Sequence, residues 1–261
     1  MIKIVVIGTG NLGTHLCRAF DASGIPESSK ADVSEVELVG YYNRSGRPLE
    51  FVSAPLIKNL DQLPDADLIL LCVPDDQVPA VSSSLSHQNS IIAHTSGSVA
   101  MQALSDHENH GVFYIPQSFS KKRSVDFSQL ALCLEASDSS TMKILERVAS
   151  SLSRKRFHLD SLQRRQLHLA AVYVNNFVNH CYTKAETILQ EAEIPSGLLQ
   201  PLMEETLQKA LNLGAKNAQT GPALRQDQST ILAHLALLPP SDHPMYKTIT
   251  QSIQETHAQK L

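Results

Sequence analysis

The sequence predicts an α/β fold: a mostly parallel, doubly wound sheet over residues 1–159, then an all-helical part over residues 160–261. Three observations carry this expectation. Short apolar runs alternate with helical stretches up to about Asp160. Several of those runs are apolar throughout rather than at every second position, the pattern of parallel strands covered on both faces. Beyond Asp160 no strand pattern returns, and helical periodicity runs to the end of the chain.

In chain order, strands are expected at 3–7, 37–42, 68–73, 90–94, 112–115, 131–135 and 156–158. The first, Lys3 to Ile7, breaks into Gly8-Thr9-Gly10-Asn11-Leu12-Gly13 and then into a helix with Leu12, Leu16, Ala19 and Phe20 at three-to-four spacing. A G-x-G-x-x-G run between a strand and a helix is the arrangement a dinucleotide pyrophosphate requires. Gly8 permits the tight turn, Gly10 lets backbone N–H groups approach the phosphates, and Gly13 lets helix and strand pack closely. The helix start then offers the anion its unpaired N–H groups. A glycine-rich structural turn is the competing reading, and the flanking strand and helix weigh against it.

The other strand ends carry Asn43-Arg44-Ser45, Val73-Pro74-Asp75, His94-Thr95-Ser96-Gly97 and Pro116-Gln117-Ser118. Ligands of open α/β sheets bind at that edge. Asn43, Arg44, Ser45, Val73, Pro74, Thr95 and Ser96 are therefore candidate nucleotide contacts, and His94 is a candidate substrate contact. A site specific for NAD places an acidic residue after the second strand, to hold the adenosine ribose. Arg44 and Ser45 occupy that position, with Arg47 beyond, and suit the 2′-phosphate of NADP(H) instead. Glu35 and Glu37 precede the apolar run and lie at the wrong edge. Arg44 and Arg47 as plain loop surface is the alternative.

Beyond residue 160 a long helical pattern runs from Ser161 to Glu191, a second from Ser196 to Leu213, which ends at Gly214, and a break falls at Thr220-Gly221-Pro222. The first helix is nearly apolar on all sides from Leu167 to Val178 and is expected to be buried. At about 100° per residue, His168, Asn175 and Asn179 share one stripe, with Asn176 at its edge. Such a stripe needs partners from a helix, a subunit or a ligand, so His168 is read either as a functional residue or as a satisfied core histidine. In the last constellation Thr220 is expected to cap a helix beginning at Pro222, with Gly221 allowing close approach. Arg225 then either grips a substrate anion or pairs internally with Asp227.

Composition bounds the function. A net charge of −4 and a pI near 6.2 leave no basic stripe for nucleic acid. Arg154-Lys155-Arg156 with Arg164-Arg165 reads as a solvated or junction surface. Cys17, Cys72, Cys133 and Cys181 form no C-x-x-C pair, which predicts small buried hydrophobes rather than a disulfide or metal framework. With no leader pattern and no apolar run of membrane-spanning length, a cytoplasmic protein is expected.

Together these blocks resemble the β-hydroxyacid dehydrogenase and pyrroline-5-carboxylate reductase superfamily, and within it a group of Rossmann-like NADP oxidoreductases. The resemblance spans the whole chain. It rests on Gly8 to Gly13, Asn43-Arg44-Ser45, Cys72-Val73-Pro74-Asp75, His94 to Ser98, Tyr114 to Phe119, His168-Leu169-Ala170-Ala171 with Asn175-Asn176, and Thr220 to Asp227. It implies a Rossmann domain followed by a helical dimerisation domain similar to the C-terminal part of 6-phosphogluconate dehydrogenase, a homodimer, and hydride transfer from NADPH at a cleft. One departure stands out. Hydroxyacid dehydrogenases of the superfamily carry a catalytic lysine one turn before an asparagine, whereas Ala171 and Val172 precede Asn175 and Asn176 here. Reduction of a carbonyl or imine on a small anionic substrate is then the leading expectation. His168 is its proton donor, Asn175 and Gln117 orient the reacting group, and Thr220, Gly221 and Arg225 bind substrate. A non-catalytic NADPH sensor and a deazaflavin-linked reductase are the competing readings.

Overall fold

The computed structural model describes residues 1–21, 36–85 and 89–258; Glu35, weighed above as a ribose partner, lies outside them. Strands β1 (Ile2–Ile7), β2 (Val36–Tyr42), β3 (Leu56–Ile57), β4 (Leu68–Leu71), β5 (Ile91–His94), β6 (His110–Tyr114), β7 (Leu132–Ala136) and β8 (Arg156–His158) form one sheet in the order β3-β2-β1-β4-β5-β6-β7-β8. Pairing is parallel except between β6 and β7. Of these strands only β3 was not expected, because two edge residues carry no periodicity.

Strand order reverses between β1 and β4, where Ile4 to Ile7 pair with Leu68 to Leu71. Their side chains alternate between two apolar layers. Ile4, Val6, Leu68 and Leu70 pack with Leu16 and Phe20 of α1 (Asn11–Phe20). Val5, Ile7, Ile69 and Leu71 pack on the other face with Val78 of α2 (Val78–Ser83). Both faces are therefore covered, which is why these strands read as unbroken apolar runs. Helix α3 (Ser139–Ser150) joins the first layer through Leu145, Val148 and Ala149.

Contacts divide the chain into two compact units, 1–181 and 182–261. Helix α4 (Ser161–Ala171) runs through a π-helical turn (Val172–Phe177) into α5 (Val178–Glu191). It opens with a capping box in which the Asp160 carboxylate accepts from the Gln163 N–H and the Gln163 side chain accepts from the Asp160 N–H. The second unit carries α6 (Gln200–Leu213), α7 (Ala215–Ala218), α8 (Gln228–Leu237) and α9 (His243–His257). Within it Lys184 pairs with Asp242 at 2.8 Å, and Gly214 ends α6 at φ +78.

Three expectations need correction. The segment 167–178 is not buried: Leu169, Tyr173, Val174 and Phe177 are 51–74% exposed, because α4 meets the sheet along the face of Arg164 and Leu167. Cys181 is exposed, unlike Cys17 and Cys133. Arg164, grouped by sequence with a solvated cluster, is the largest fully buried side chain.

Arg164 Nη1 donates to the carbonyls of Ser96 (3.2 Å), Gly97 (3.3 Å) and Val99 (2.7 Å). Nη2 donates to Glu135 of β7 and to the Ser161 hydroxyl, both at 2.9 Å. One guanidinium thus joins α4, the loop after β5 and β7. Replacing it with an apolar side chain takes the guanidinium from three carbonyls and leaves a largely buried carboxylate with the Ser161 hydroxyl as its hydrogen-bond donor and no counter-charge. Arg164→Met is expected to cost about 3–5 kcal/mol in urea unfolding, while adding Glu135→Leu recovers part of that loss. Equal stability of Arg164→Met and the wild type would show the pair to be dispensable.

Candidate functional site

The glycine loop is shaped by close backbone approach. Gly8 has φ +98, and a Cβ there would lie 2.4 Å from the Cys72 carbonyl oxygen; one at Gly13 would lie 1.9 Å from the Gly8 carbonyl oxygen. A Cβ at Gly10 would meet nothing within 4 Å, so the space in front of α1 is open. The loop is pinned by Gly8 N–H to Tyr42 O (2.8 Å), Cys72 N–H to Ile7 O (2.7 Å) and the Thr14 hydroxyl to Thr9 O (3.0 Å). No side chain caps α1 and no acidic residue lies in its first turn. An anion can take those N–H groups. Asn11 opens the helix and Leu12 packs on the core.

A cavity of about 410 Å³ opens beside the loop, lined by Gly8, Thr9, Gly10, Asn43, Arg44, Ser45, Val73 and Pro74 among others. The structure therefore brings most of the expected nucleotide residues together. The buried Asn43 side chain holds the turn after β2: its Nδ2 donates to Arg47 O (2.8 Å), and its Oδ1 accepts from the Ser45 hydroxyl (2.8 Å) and Arg47 N–H (3.2 Å). With the Ser45 proton engaged there, the exposed Arg44 is the donor left for a phosphate. A cradle that glycine alone can form, an uncapped helix start and an arginine at the rim fit a phosphorylated dinucleotide.

Thr95 and Ser96 are differently employed. The Thr95 hydroxyl donates to Leu71 O at 3.2 Å. The Ser96 hydroxyl oxygen accepts from the N–H groups of Ser98 (3.1 Å) and Val99 (3.0 Å), while the Ser98 hydroxyl donates to Asp75. His94 is fully buried, with Nδ1 accepting from Ser96 N–H at 3.2 Å. It is a loop anchor in this structure, not an open substrate contact. Burial, then the Arg164 charge, push its pKa down to about 4.

His168 lies over Gly97: a Cβ there would stand 2.6 Å from His168 Nδ1, so only glycine leaves room for the ring. Nδ1 is 3.3 Å from the Tyr114 hydroxyl, and the two rings meet edge to face at 6.1 Å. Burial raises the Tyr114 pKa. Sequence reasoning named Tyr114 only as the first residue of the Tyr114 to Phe119 block and gave it no role. Gln117 and Asn175 line a second cavity, of about 490 Å³. Asn175 stands in the π-helical turn and is exposed, so the stripe with Asn179 is not a buried one. π turns interrupt α-helices frequently at functional sites.

Thr220, Gly221 and Arg225 belong to the second unit. The expected helix at Pro222 is absent, since residues 222–226 form turns and α8 starts at Gln228. Its cap is Asp227, which accepts from Thr230 N–H (3.1 Å) and the Thr230 hydroxyl (2.7 Å). A carboxylate outcompetes Thr220 here because it takes both donors at once. Thr220 and Arg225 are exposed, and Gly221 has φ +102. Among the described residues no His, Cys, Asp and Glu cluster could hold a metal, and no helix is long and apolar enough to cross a membrane.

Over 97% of its length the chain matches a solved structure from Bacteroides fragilis, described as a candidate NADP oxidoreductase, at 33% identity and a TM-score of 0.84, covering 98% of that chain. The chain belongs to the Rossmann-like NADP oxidoreductase family. This NADP oxidoreductase also matches two family models: "NADP oxidoreductase coenzyme F420-dependent" over residues 3–97 and a domain of unknown function over residues 130–253. An imine reductase from Myxococcus stipitatus in complex with NAD+ shares the fold at 17% identity and a TM-score of 0.60, with 98% and 95% of the two chains covered. So does a reductive aminase from Aspergillus terreus in complex with NADPH and ethyl-5-oxohexanoate, at 14% identity, a TM-score of 0.68 and 98% and 94% coverage. No curated protein matches the sequence.

The His94 environment gives the fold a pH dependence. Its pKa is about 6.5 in an unfolded chain and about 4 in the fold. Between those values the unfolded state binds the extra proton. Stability is therefore full above about pH 6.5 and falls toward pH 4, by up to about 1.4 kcal/mol per unit. Urea unfolding of His94→Asn should lack that part of the slope; identical pH profiles for the two proteins would show that His94 titrates normally.

Proposed function

We propose that the protein reduces a carbonyl or imine on a small, polar, anionic substrate with NADPH as reductant. The observation that carries this reading is the meeting of Gln117 and Asn175 in one cavity, in the same compact unit as the glycine loop. NADPH, when bound, supplies the hydride. The glycine loop and the start of α1 would hold its pyrophosphate, and Arg44 its 2′-phosphate. Val73 and Pro74 line the same cavity. As the hydride adds to carbon, the electron pair of the double bond moves to oxygen or nitrogen, which needs a proton. His168 is the assigned donor. Its Nδ1 faces the Tyr114 hydroxyl, which leaves Nε2 to protonate the substrate. Burial keeps Tyr114 protonated beside it. The amides of Gln117 and Asn175 orient the reacting group. Thr220, Gly221 and Arg225 remain proposed substrate contacts.

The reading places the functional boundary at residue 160, so that α4 and the π turn, though packed on the first unit, are the inner edge of a substrate and dimerisation domain. We propose a cytoplasmic setting, supported by four free cysteines, and no nucleic-acid partner, in keeping with the net charge of −4.

The test is NADPH oxidation against a panel of carbonyl and imine compounds, with binding measured alongside. His168→Ala should lower kcat by about 10²–10⁴-fold with NADPH affinity retained. Arg44→Ala should weaken NADPH by about 1.5–3 kcal/mol and leave NADH unchanged. No turnover with any compound, beside tight NADPH binding, would favour a sensor; full activity of His168→Ala would remove the histidine from the chemistry.

We also propose a homodimer. Leu169, Tyr173, Val174 and Phe177 on the segment 167–178, and Leu202 and Leu211 on α6, are each more than half exposed. Two-fold pairing is the commonest cover for such surface. Light scattering at micromolar concentration should give twice 28.6 kDa; a monomer mass would contradict it.

A further inference from the structure

The cavity shared by Gln117 and Asn175 has on its wall an arginine, Arg123, to which the sequence gave no role. Its wall includes Ser120, Arg123 and Ser124, from the loop between β6 and β7. Apolar contact is supplied by Val125 and Leu130, which pack against the core. The balance of donors and acceptors decides what such a pocket takes. Asp126 is the one acidic residue on the wall, and its Oδ1 already accepts from Ser128 N–H (3.0 Å) and the Ser128 hydroxyl (2.7 Å). Gln117 Oε1 accepts from Ser118 N–H at 2.8 Å, so its NH₂ is the end left for a ligand. What remains is a guanidinium, two amides and serine hydroxyls, a set rich in donors, in which the Asp126 charge offsets that of Arg123 on the wall and the loop lysines decide the sign. Lys121 and Lys122 precede Arg123 on the loop and make the field positive.

The loop is also built to a fixed position. The Ser120 carbonyl accepts from His15 of α1 at 3.0 Å and from Arg123 N–H at 3.1 Å. His15 is buried and stacks at a tilt on Phe119, centroids 5.9 Å apart; Phe119 in turn meets Phe127 at 6.3 Å. The backbone of Arg123 is therefore tied to the helix that begins at the glycine loop, and its side chain has a defined origin for gripping an anion.

We propose that Arg123 is the specificity-determining residue of this pocket, binding the substrate's carboxylate, so that the substrate is a short oxo acid or its imine. This rests on the reductase reading above, in which Gln117 and Asn175 orient the reducible group. Their presence on the wall of the same cavity of about 490 Å³ is what makes a short oxo acid, with its carboxylate and its reducible group in one small molecule, the substrate to test. It also assigns to the first unit an anion contact that the sequence had sought at Arg225.

Oxalate, a planar mimic of a short oxo acid, is the probe. Its binding to the full chain is measured by calorimetry with and without NADPH, for the wild type, Arg123→Gln and Arg123→Lys. Expected are oxalate binding to the wild type, an affinity loss of at least about tenfold in Arg123→Gln, a smaller loss in Arg123→Lys, and the same NADPH affinity in all three. Oxalate binding that ignores Arg123→Gln, or no oxalate binding to the wild type, overturns the proposal. So does inorganic phosphate binding at Arg123 more tightly than oxalate, since the pocket would then be a phosphate site. Failure of the wild type to bind NADPH sinks the reductase reading separately, because the oxalate arm without nucleotide still judges the pocket.

Discussion

Arg164 is the constraint on which the functional half of the molecule depends. A buried guanidinium cannot shed its charge, so the fold must supply acceptors in its planar geometry. Nη1 and Nη2 find them on three separated pieces of chain, the carbonyls of the loop after β5, Glu135 on β7 and Ser161 at the start of α4, while the buried Nε has no partner among the described residues. Holding that one group fixes the path of residues 96–99 and the seating of α4 on the sheet. Gly97, whose carbonyl Arg164 holds, is the surface on which the His168 ring lies. Tyr114, the ring's other neighbour, packs in the cluster that receives Leu167. The position of the proposed proton donor is thus set by an ion pair one turn earlier in the same helix.

This explains what was legible in the sequence and what was not. The two apolar layers of the sheet impose a local pattern, so β1, β2, β4 and β5 could be found as unbroken apolar runs. The glycine loop was legible for the same reason: Gly8 and Gly13 meet neighbours only a few residues away or on the adjacent strand. Arg164 was misread because its partners lie 65 to 68 residues back and 29 residues back along the chain. Nothing in the run Arg164-Arg165 distinguishes the buried arginine from the exposed one. Asn175 was singled out as part of a buried stripe, but it is exposed, since a helical wheel assumes one regular turn and the π segment departs from it.

The misplacement of the α8 cap has a related cause. Thr220-Gly221-Pro222 has the order of a helix start, yet turns intervene and Gln226 takes φ +55 before Asp227 caps the helix. Local propensity allowed both starts. The doubly engaged carboxylate of Asp227, bound to the Thr230 N–H and hydroxyl, decides between them.

The glycine-loop cavity and the cavity of Gln117 and Asn175 are both built on elements tied to α1. Its N-terminus faces the open space at Gly10, and one turn on, His15 takes the Ser120 carbonyl of the loop that carries Arg123. A carbonyl only accepts, so the His15 nitrogen facing it carries the proton. The stack from His15 through Phe119 to Phe127 then anchors that loop in the apolar layer beneath β1 and β4. A reductase needs its hydride donor and its acceptor carbon held at one distance and angle, and a loop hung on the nucleotide helix meets that need with few moving parts. Any shift of α1 on binding a nucleotide would be carried to the Arg123 loop through the His15 hydrogen bond and the Phe119 ring contact. On the proposed reading, nucleotide and substrate would both be positioned from one helix.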